Sequence, residues 1–443
     1  MIQRDSFFIL ILFSLLSAAL IATYQTDKKI INLLKKPHQK EKTIYPKQEI
    51  WITVFVHGML SHMVRRPSMK RYLNILQDDI DGTLYETATK HIRSSDYYRE
   101  NQPAQSIGLQ QIDLADTTNN PPAALAKVFN ELDNYLHKRD PKTNRYYTFG
   151  WNGLVSEKKR YEASEKLYLA LQKELAALKK QGIRAHIKMY GYSHGGNVAL
   201  HLGTINKKYG GNLSIDELIL LGVPIHNGID YLILNDCFKK VFHLYSHADR
   251  VQKLDILGKG GLFSRRLFVD RKKFTVPKKL KQIRVKMMRN RTTKKQWPTL
   301  QDPRRNFEIP SIVSGSSKLL RSISPAHSEW WFFGWTHRGY RRHFPLMPMS
   351  MLAMIPVIID AAQRYADPDE TDIMVDLRPD QTTLLVKEKT KTTVAPFLSE
   401  RKLLELQSIT YRYAQKIVTP EEYNTRVDEA VKKARQELES ANQ

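Results

Sequence analysis

The chain has a single cysteine, Cys237, among its 443 residues. That scarcity excludes an internal disulfide and any zinc site built on thiolates, so stability has to come from an ordinary hydrophobic core, which a chain this long can bury. Acidic residues are also in short supply: 45 Asp and Glu stand against 70 Lys and Arg, a formal charge of +25. The deficit is concentrated. Residues 259–305 carry 17 Lys and Arg but only two acids, Asp270 and Asp302, a local surplus of 15. Such a segment reads either as a surface for anionic lipid headgroups or another polyanion, or as a solvated basic insertion. No internal repeat and no glycine-rich phosphate loop is present, and nucleic acid is not an expected partner.

Long apolar runs are equally rare. Phe7 to Tyr24 is uncharged over 18 residues, near the lower limit for crossing a bilayer. It reads as a single-pass membrane anchor or, since Ser17-Ala18-Ala19 offers small residues for cleavage, as a signal segment that would leave a secreted or periplasmic protein. Lys28, Lys29, Lys35 and Lys36 follow the run and only Arg4 precedes it, a bias that would hold the remainder on the cytoplasmic side.

What the chain does contain is a regular alternation of strand and helix signals. Ile50 to Val56 is a continuous apolar, β-branched run of the kind buried on both faces of a parallel sheet. Residues 60–144 are too long for a simple crossover. Within them, Leu125, Val128, Phe129, Leu132 and Leu136 share one helical face, while Met59 to Met63 and Tyr97-Tyr98 read as a lid, a pocket wall or a decorative loop. Strand signals at 146–151, 185–190, 218–223, 241–245 and 283–288 are separated by helical stretches, one marked by Leu167, Leu171, Leu175 and Leu178. That alternation predicts a parallel sheet with right-handed crossovers.

The chemistry gathers at strand ends. Gly191-Tyr192-Ser193-His194-Gly195 breaks an apolar strand and opens a helix, the setting in which a serine is held in strained backbone geometry with its hydroxyl above the sheet. The first N–H groups of the next helix then point towards negative charge forming beside that hydroxyl. The first strand ends in His57-Gly58-Met59, where a glycine lets a second main-chain N–H approach the same place. An acid to orient a histidine is available in Asp249, after the strand at 241–245. The same residue also reads as a helix N-cap, and Asp230 is an alternative. The histidine itself is sought after the last of these strands: His327 in a turn-prone stretch, with His337 and His343, which lie among arginines, as alternatives. Trp330, Trp331 and their aromatic neighbours would line an acyl pocket, meet a lipid interface or simply pack a core.

Four of these places, Val56-His-Gly-Met59, Gly191-Tyr-Ser-His-Gly-Gly196, Leu221-Gly-Val-Pro-Ile-His-Asn-Gly228 and Ser246-His-Ala-Asp-Arg-Val251, resemble the α/β-hydrolase superfamily, particularly its lipase-like branch. The resemblance covers roughly residues 57–365 and implies an α/β-hydrolase fold, a mostly parallel sheet flanked by helices. It also implies a serine hydrolase cleaving carboxylic esters, with lipid or acyl esters as the substrate class and no metal or organic cofactor. Ser193 would be the nucleophile, His327 the base and Asp249 its orienting acid. The main-chain N–H groups of Met59 and His194 would form the oxyanion hole, and His57, Gly58, Tyr192, Trp330 and Trp331 would lie along the substrate. Two departures stand out: the histidine lies nearly forty residues beyond the strand at 283–288, and the basic insertion is unusual.

The expected organisation is a membrane anchor or signal segment at 1–24, a basic linker at 25–47 and the α/β domain at 48–366, with the basic insertion at 259–305. A linker at 367–398, holding two short strand-like runs around a turn at Arg378-Pro379-Asp380, and a charged helical tail at 399–443 complete it. Two rival functions stay open: acyl transfer or thioester cleavage by the same triad, or a non-catalytic hydrolase-like scaffold that binds membranes or a polyanion through the basic segment.

Overall fold

A computed structural model describes residues 48–59, 80–116, 120–254, 264–289, 321–333, 346, 349–366, 372–378, 383–388, 391–396, 398–411 and 420–441. The apolar run at 7–24 and the linker at 25–47 lie outside the described residues, as do His337 and His343. Among the described residues no helix is long and apolar enough to cross a membrane.

The predicted strand at 50–56 is an inner strand of the sheet, third from one edge. β1 (Gln48–Val56) pairs in parallel with β3 (Asn144–Gly150) on one side and β4 (Ile183–Tyr192) on the other. Burial on both faces is what its unbroken apolar run requires. The parallel order continues outward from β4 through β5 (Ile215–Leu221), β6 (Phe238–Tyr245) and β7 (Leu280–Arg289). Because these strands run the same way, the loops after them all emerge at one edge. That edge is where open α/β sheets place their sites.

The helices pack as their periodicity predicts. α1 (Leu84–Ser94), α2 (Pro121–His137), α3 (Glu157–Lys180) and α4 (His194–Lys208) precede α5 (Ile355–Tyr365) in chain order. In α2, Leu125, Val128, Phe129 and Leu132 are buried in one core cluster with Phe55, Tyr190 and much of α5. In α3, Leu167, Leu171 and Leu178 enter a second cluster with Val54, Met189 and Leu200. Each fully buried leucine or phenylalanine of this kind contributes about 1.5–3 kcal/mol relative to an exposed one. The long segment before β3 holds α1, α2 and a short strand, β2 (Gly108–Gln111), that caps the sheet's edge antiparallel to β3.

One sequence-based boundary needs correction. The stretch read as a linker at 367–398, with two short strand-like runs, supplies three strands of the same sheet. A short strand, β8 (Arg321–Ile323), first pairs with the end of β7. Then β9 (Asp372–Arg378) pairs in parallel with β7, and β10 (Thr383–Lys387) and β11 (Thr392–Pro396) follow in antiparallel order. Leu384, Val386 and Ala395 are buried in the same core as α5, so residues whose composition resembles a linker belong to the β-sheet. The tail is helical, as expected, but it is built into this unit. α6 (Glu400–Tyr411) buries Leu403 and Leu406, and Lys402 Nζ reaches Glu131 Oε2 at 2.7 Å. α7 (Pro420–Ala441) buries Val427 and Ala430 with Ile92 of α1.

The described part of the basic insertion, residues 264–289, contains β7, the strand expected at 283–288, and several of its cations bind within the protein. Arg266 donates to the carbonyls of His247 and Asp249, each at 2.9 Å, and Lys279 donates to the Asn235 carbonyl at 2.6 Å. Arg265 and Arg271 both meet Asp230. Arg265, Arg266, Arg271 and Lys279 therefore serve the fold.

Candidate active site

Parallel register brings the strand ends together. Val56 lies beside Gly191, and Gly191 beside Leu220, so the loops carrying His57, Ser193 and Gly222 leave the sheet as neighbours. Ser193 N–H donates to the Leu221 carbonyl at 2.9 Å, and Gly222 N–H to the Leu244 carbonyl at 3.1 Å, which carries the ladder past the end of the strands.

Ser193 has φ 51° and ψ −129°. A non-glycine residue in such a conformation stores about 1–3 kcal/mol of strain, which the surroundings must hold. Lys138 is the other described non-glycine residue with positive φ, and it closes α2 in an ordinary left-handed cap. The strain at Ser193 comes from turning a strand directly into α4. Gly195 makes the turn feasible, because a Cβ there would stand 2.2 Å from the His57 carbonyl oxygen.

His327 Nε2 lies 3.0 Å from Ser193 Oγ, and His327 Nδ1 lies 2.8 Å from Asp249 Oδ2. The ionised carboxylate can only accept, so Nδ1 carries the proton and Nε2 is left to accept from the serine hydroxyl. Asp249 is fully buried, Ser193 is 3 % exposed, and the His327 side chain keeps 17 % of its surface open. The two readings of Asp249 coexist: Oδ2 meets the histidine while Oδ1 accepts from Gln252 N–H at 3.2 Å, capping the turn that follows. Asp230, the alternative acid, is also fully buried, but its carboxylate is taken by Arg265 and Arg271.

The loop bearing His327 is tied down at several points. Ser246 Oγ donates to the Pro325 carbonyl, Ala326 N–H donates to Glu329 Oε2 at 2.6 Å, and Tyr192 OH donates to the His327 carbonyl at 3.1 Å. Thus the loop after β6 and the residue before Ser193 both hold the backbone around His327. This spans the nearly forty residues that separate β7 from His327 in sequence.

The expected substrate contacts resolve differently. His57 is buried, and its Nε2 accepts from Trp151 N–H at 3.1 Å, which leaves Nδ1 to donate to the Gly58 carbonyl at 2.7 Å, with Tyr98 OH at 2.9 Å. Burial, with Arg93 nearby, holds its pKa well below the ordinary histidine value. His57 therefore fixes the loop and offers no free ring nitrogen to a substrate. Since the peptide is trans, anchoring the Gly58 carbonyl also fixes the direction of the Met59 N–H on its far side. Met59 packs against a small cluster of Ile80, Tyr85, Leu154 and Val155. Gly58 touches the site directly: a Cβ there would stand 3.0 Å from Ser193 Cβ.

Trp330 and Trp331 are fully buried, so packing is their role. Trp331 stacks on Tyr192 with ring centroids 5.2 Å apart, and its Nε1 donates to Gln102 Oε1. Tyr192 in turn lies under His327, 5.0 Å between centroids. His194 opens α4, so its main-chain N–H belongs to the first turn beside Ser193. Its side chain meets Arg160 and Asn197.

Sequence reasoning passed over Gly222. Its φ is +58°, and a Cβ would stand 2.9 Å from Asp249 Oδ2 and 3.4 Å from His327 Nδ1. Only a glycine fits between the acid and the imidazole. The residue was visible within Leu221-Gly-Val-Pro224, but nothing local marks it as facing a histidine a hundred residues away. Ser246, Tyr98 and Trp151 escaped for the same reason. Among the described residues no group of three or more His, Cys, Asp or Glu is arranged to hold a metal ion.

No protein-family model, curated protein or solved structure matches this chain.

Proposed function

We propose that this protein is a serine hydrolase of the α/β-hydrolase type that cleaves carboxylic esters through Ser193, His327 and Asp249. The reading rests on one observation: the unbroken hydrogen-bond chain from Asp249 through His327 to Ser193 Oγ, at 2.8 and 3.0 Å, on a strained strand-to-helix turn. The order serine, acid, histidine along the chain is that of α/β-hydrolases, and strain at the nucleophile is a recurrent feature of that turn.

In the proposed reaction Ser193 Oγ attacks the ester carbonyl as His327 Nε2 takes its proton. The imidazolium is stabilised by the buried Asp249 carboxylate, which stays ionised. Negative charge on the carbonyl oxygen would be met by the main-chain N–H groups of Met59 and His194, each contributing about 10²–10³ in kcat. His327 then returns the proton to the departing alcohol. Water, deprotonated by the same imidazole, releases the acid and restores the serine.

Lipid or acyl esters are the proposed substrates, with the run at 7–24 keeping the enzyme at a membrane. A purely polyanion-binding role has less support, because several cations of residues 264–289 are bound internally. The test is fluorophosphonate labelling with peptide mapping, alongside hydrolysis of short and long acyl esters. Label is expected on Ser193, and Ser193→Ala is expected to lose both label and hydrolysis. Undiminished labelling of the variant at another serine would refute the assignment.

A further inference from the structure

We propose that a cavity beside the catalytic edge of the sheet, walled by Arg93, binds an amphiphilic anion: one apolar chain ending in a single negatively charged group. The inference does not depend on the hydrolase reading.

The cavity encloses about 510 Å³. That lies within the roughly 300–1,000 Å³ of ordinary small-molecule sites. Its apolar wall is formed by Ile107, Phe149, Trp151 and Leu154; in its charged lining Lys90 pairs with Glu86 and Lys159 with Asp81 and Glu162, and Arg93, Arg99 and Lys166 supply the cationic excess. Apolar wall and cationic excess together suit a ligand that is greasy along its length and negative at one end.

Arg93 supplies the independent pointer to a ligand. It is only 8 % exposed, and its guanidinium is anchored: Nε donates to the Trp151 carbonyl at 3.1 Å and Nη2 to the Gln105 carbonyl at 2.6 Å. Nη1 is buried with no hydrogen-bond partner, and no carboxylate among the described residues pairs with this cation. The guanidinium lies 4.8 Å over the Tyr98 ring, a weak partner for a full charge; a buried cation with no carboxylate beside it is costly, and negative charge held in the adjoining cavity relieves that cost. The wall is shaped around the arginine. A Cβ at Gly150 would stand 2.2 Å from Arg93 Nη2, so glycine is required for the side chain to lie there.

The site is separate from the proposed catalytic centre. Ser193, His327 and Met59 are not part of the cavity lining. Trp151 is the shared wall, lining the cavity while its two N–H groups donate to the ring and carbonyl of His57.

Calorimetric titration of the full chain with dodecanoate, dodecanol, dodecyl phosphate and inorganic phosphate tests the proposal. Dodecanoate or dodecyl phosphate is expected to bind at one site at least about tenfold more tightly than dodecanol, because a charge-assisted hydrogen bond is lost with the headgroup. The tighter of the two acids identifies the head as carboxylate or phosphate. Arg93→Gln is expected to weaken the anion about tenfold and leave dodecanol unchanged. Because Arg93 also holds two backbone carbonyls, Lys166→Glu at the exposed rim is the second variant, with about threefold weakening expected and an unchanged circular dichroism spectrum. A photoreactive dodecanoate should label peptides within 84–111 or 149–166. Equal binding of dodecanol, equal binding of inorganic phosphate, no binding, indifference to both substitutions, or label confined to peptides around Ser193 and His327 would each overturn the proposal.

Discussion

Asp230 and Asp249 make an instructive pair. Both are fully buried, both follow inner strands of the sheet, and both are met by side chains from the C-terminal half of the chain. Asp230 meets Arg265 and Arg271, which are permanently charged, and becomes a fixed ionic clasp. Asp249 meets His327, which can take and release a proton, and becomes the proposed orienting acid of a triad. Identity and burial are equal, so the partner alone separates the structural carboxylate from the proposed catalytic one.

The comparison can be pressed hardest at the acid itself. Asp249→Asn keeps the shape but favours the wrong imidazole tautomer, and kcat for ester hydrolysis is expected to fall by about 10⁴ with the fold retained. Steady-state kinetics with a chromogenic ester reads the effect, and a loss below about tenfold would place the orienting acid elsewhere.

Gly222→Ala attacks the same contact from outside. The new methyl cannot coexist with Asp249 Oδ2 at 2.9 Å, so the acid or the backbone must shift. Displacements of about 1 Å in such constellations cost about 10² in rate, and the loss should fall on kcat more than on KM.

Asp230→Asn is the converse experiment. Two arginines lose their counter-charge, and removing one partner of a buried pair costs about 3–5 kcal/mol; with both guanidinium groups partly exposed, about 2–3 kcal/mol is expected here. The unfolding midpoint in urea should drop while the proposed ester hydrolysis by the folded protein stays within about twofold. Equal losses of activity from the two asparagine variants would erase the distinction drawn between the aspartates.

The last effect concerns histidines that stay neutral in the core. Burial pushes His201 and His243 down to about 4, in His201 with help from Arg160, and holds His57 well below its ordinary value. In the unfolded chain each titrates near the ordinary ~6.5. Between about 6.5 and 4 the unfolded state therefore binds more protons, so stability is fully present above about pH 6.5 and drains as pH falls through that window. Melting temperature measured from pH 8 to 4.5 should decline below about 6.5, and a flat profile would contradict neutral burial.

Much of the frame was legible in the sequence because it depends on local pattern. The run at 50–56, the stripe of Leu125, Val128, Phe129 and Leu132, and the Gly-x-Ser-x-Gly turn each carry their structure within a dozen residues. At 372–396 the sequence shows two strand-like runs but not that three strands form or that they join the main sheet. They are short, interrupted by polar residues, and belong to the sheet because β7 offers an edge and α5 a covering face. Tyr192, Trp330 and Trp331 were legible as an aromatic group near the serine. Whether they face a ligand or one another depends on contacts between chain segments more than a hundred residues apart.

By itself, the sequence determined which residues could do chemistry and where the chain would turn, since hydrophobic period and backbone sterics act over a few residues. Tertiary structure alone decided that Asp249 and not Asp230 faces His327, that Gly222 must lack a side chain, and that His57 holds a loop. Those assignments rest on which distant segments meet at the sheet's edge, and hydrogen bonds and charges respond to distance in space.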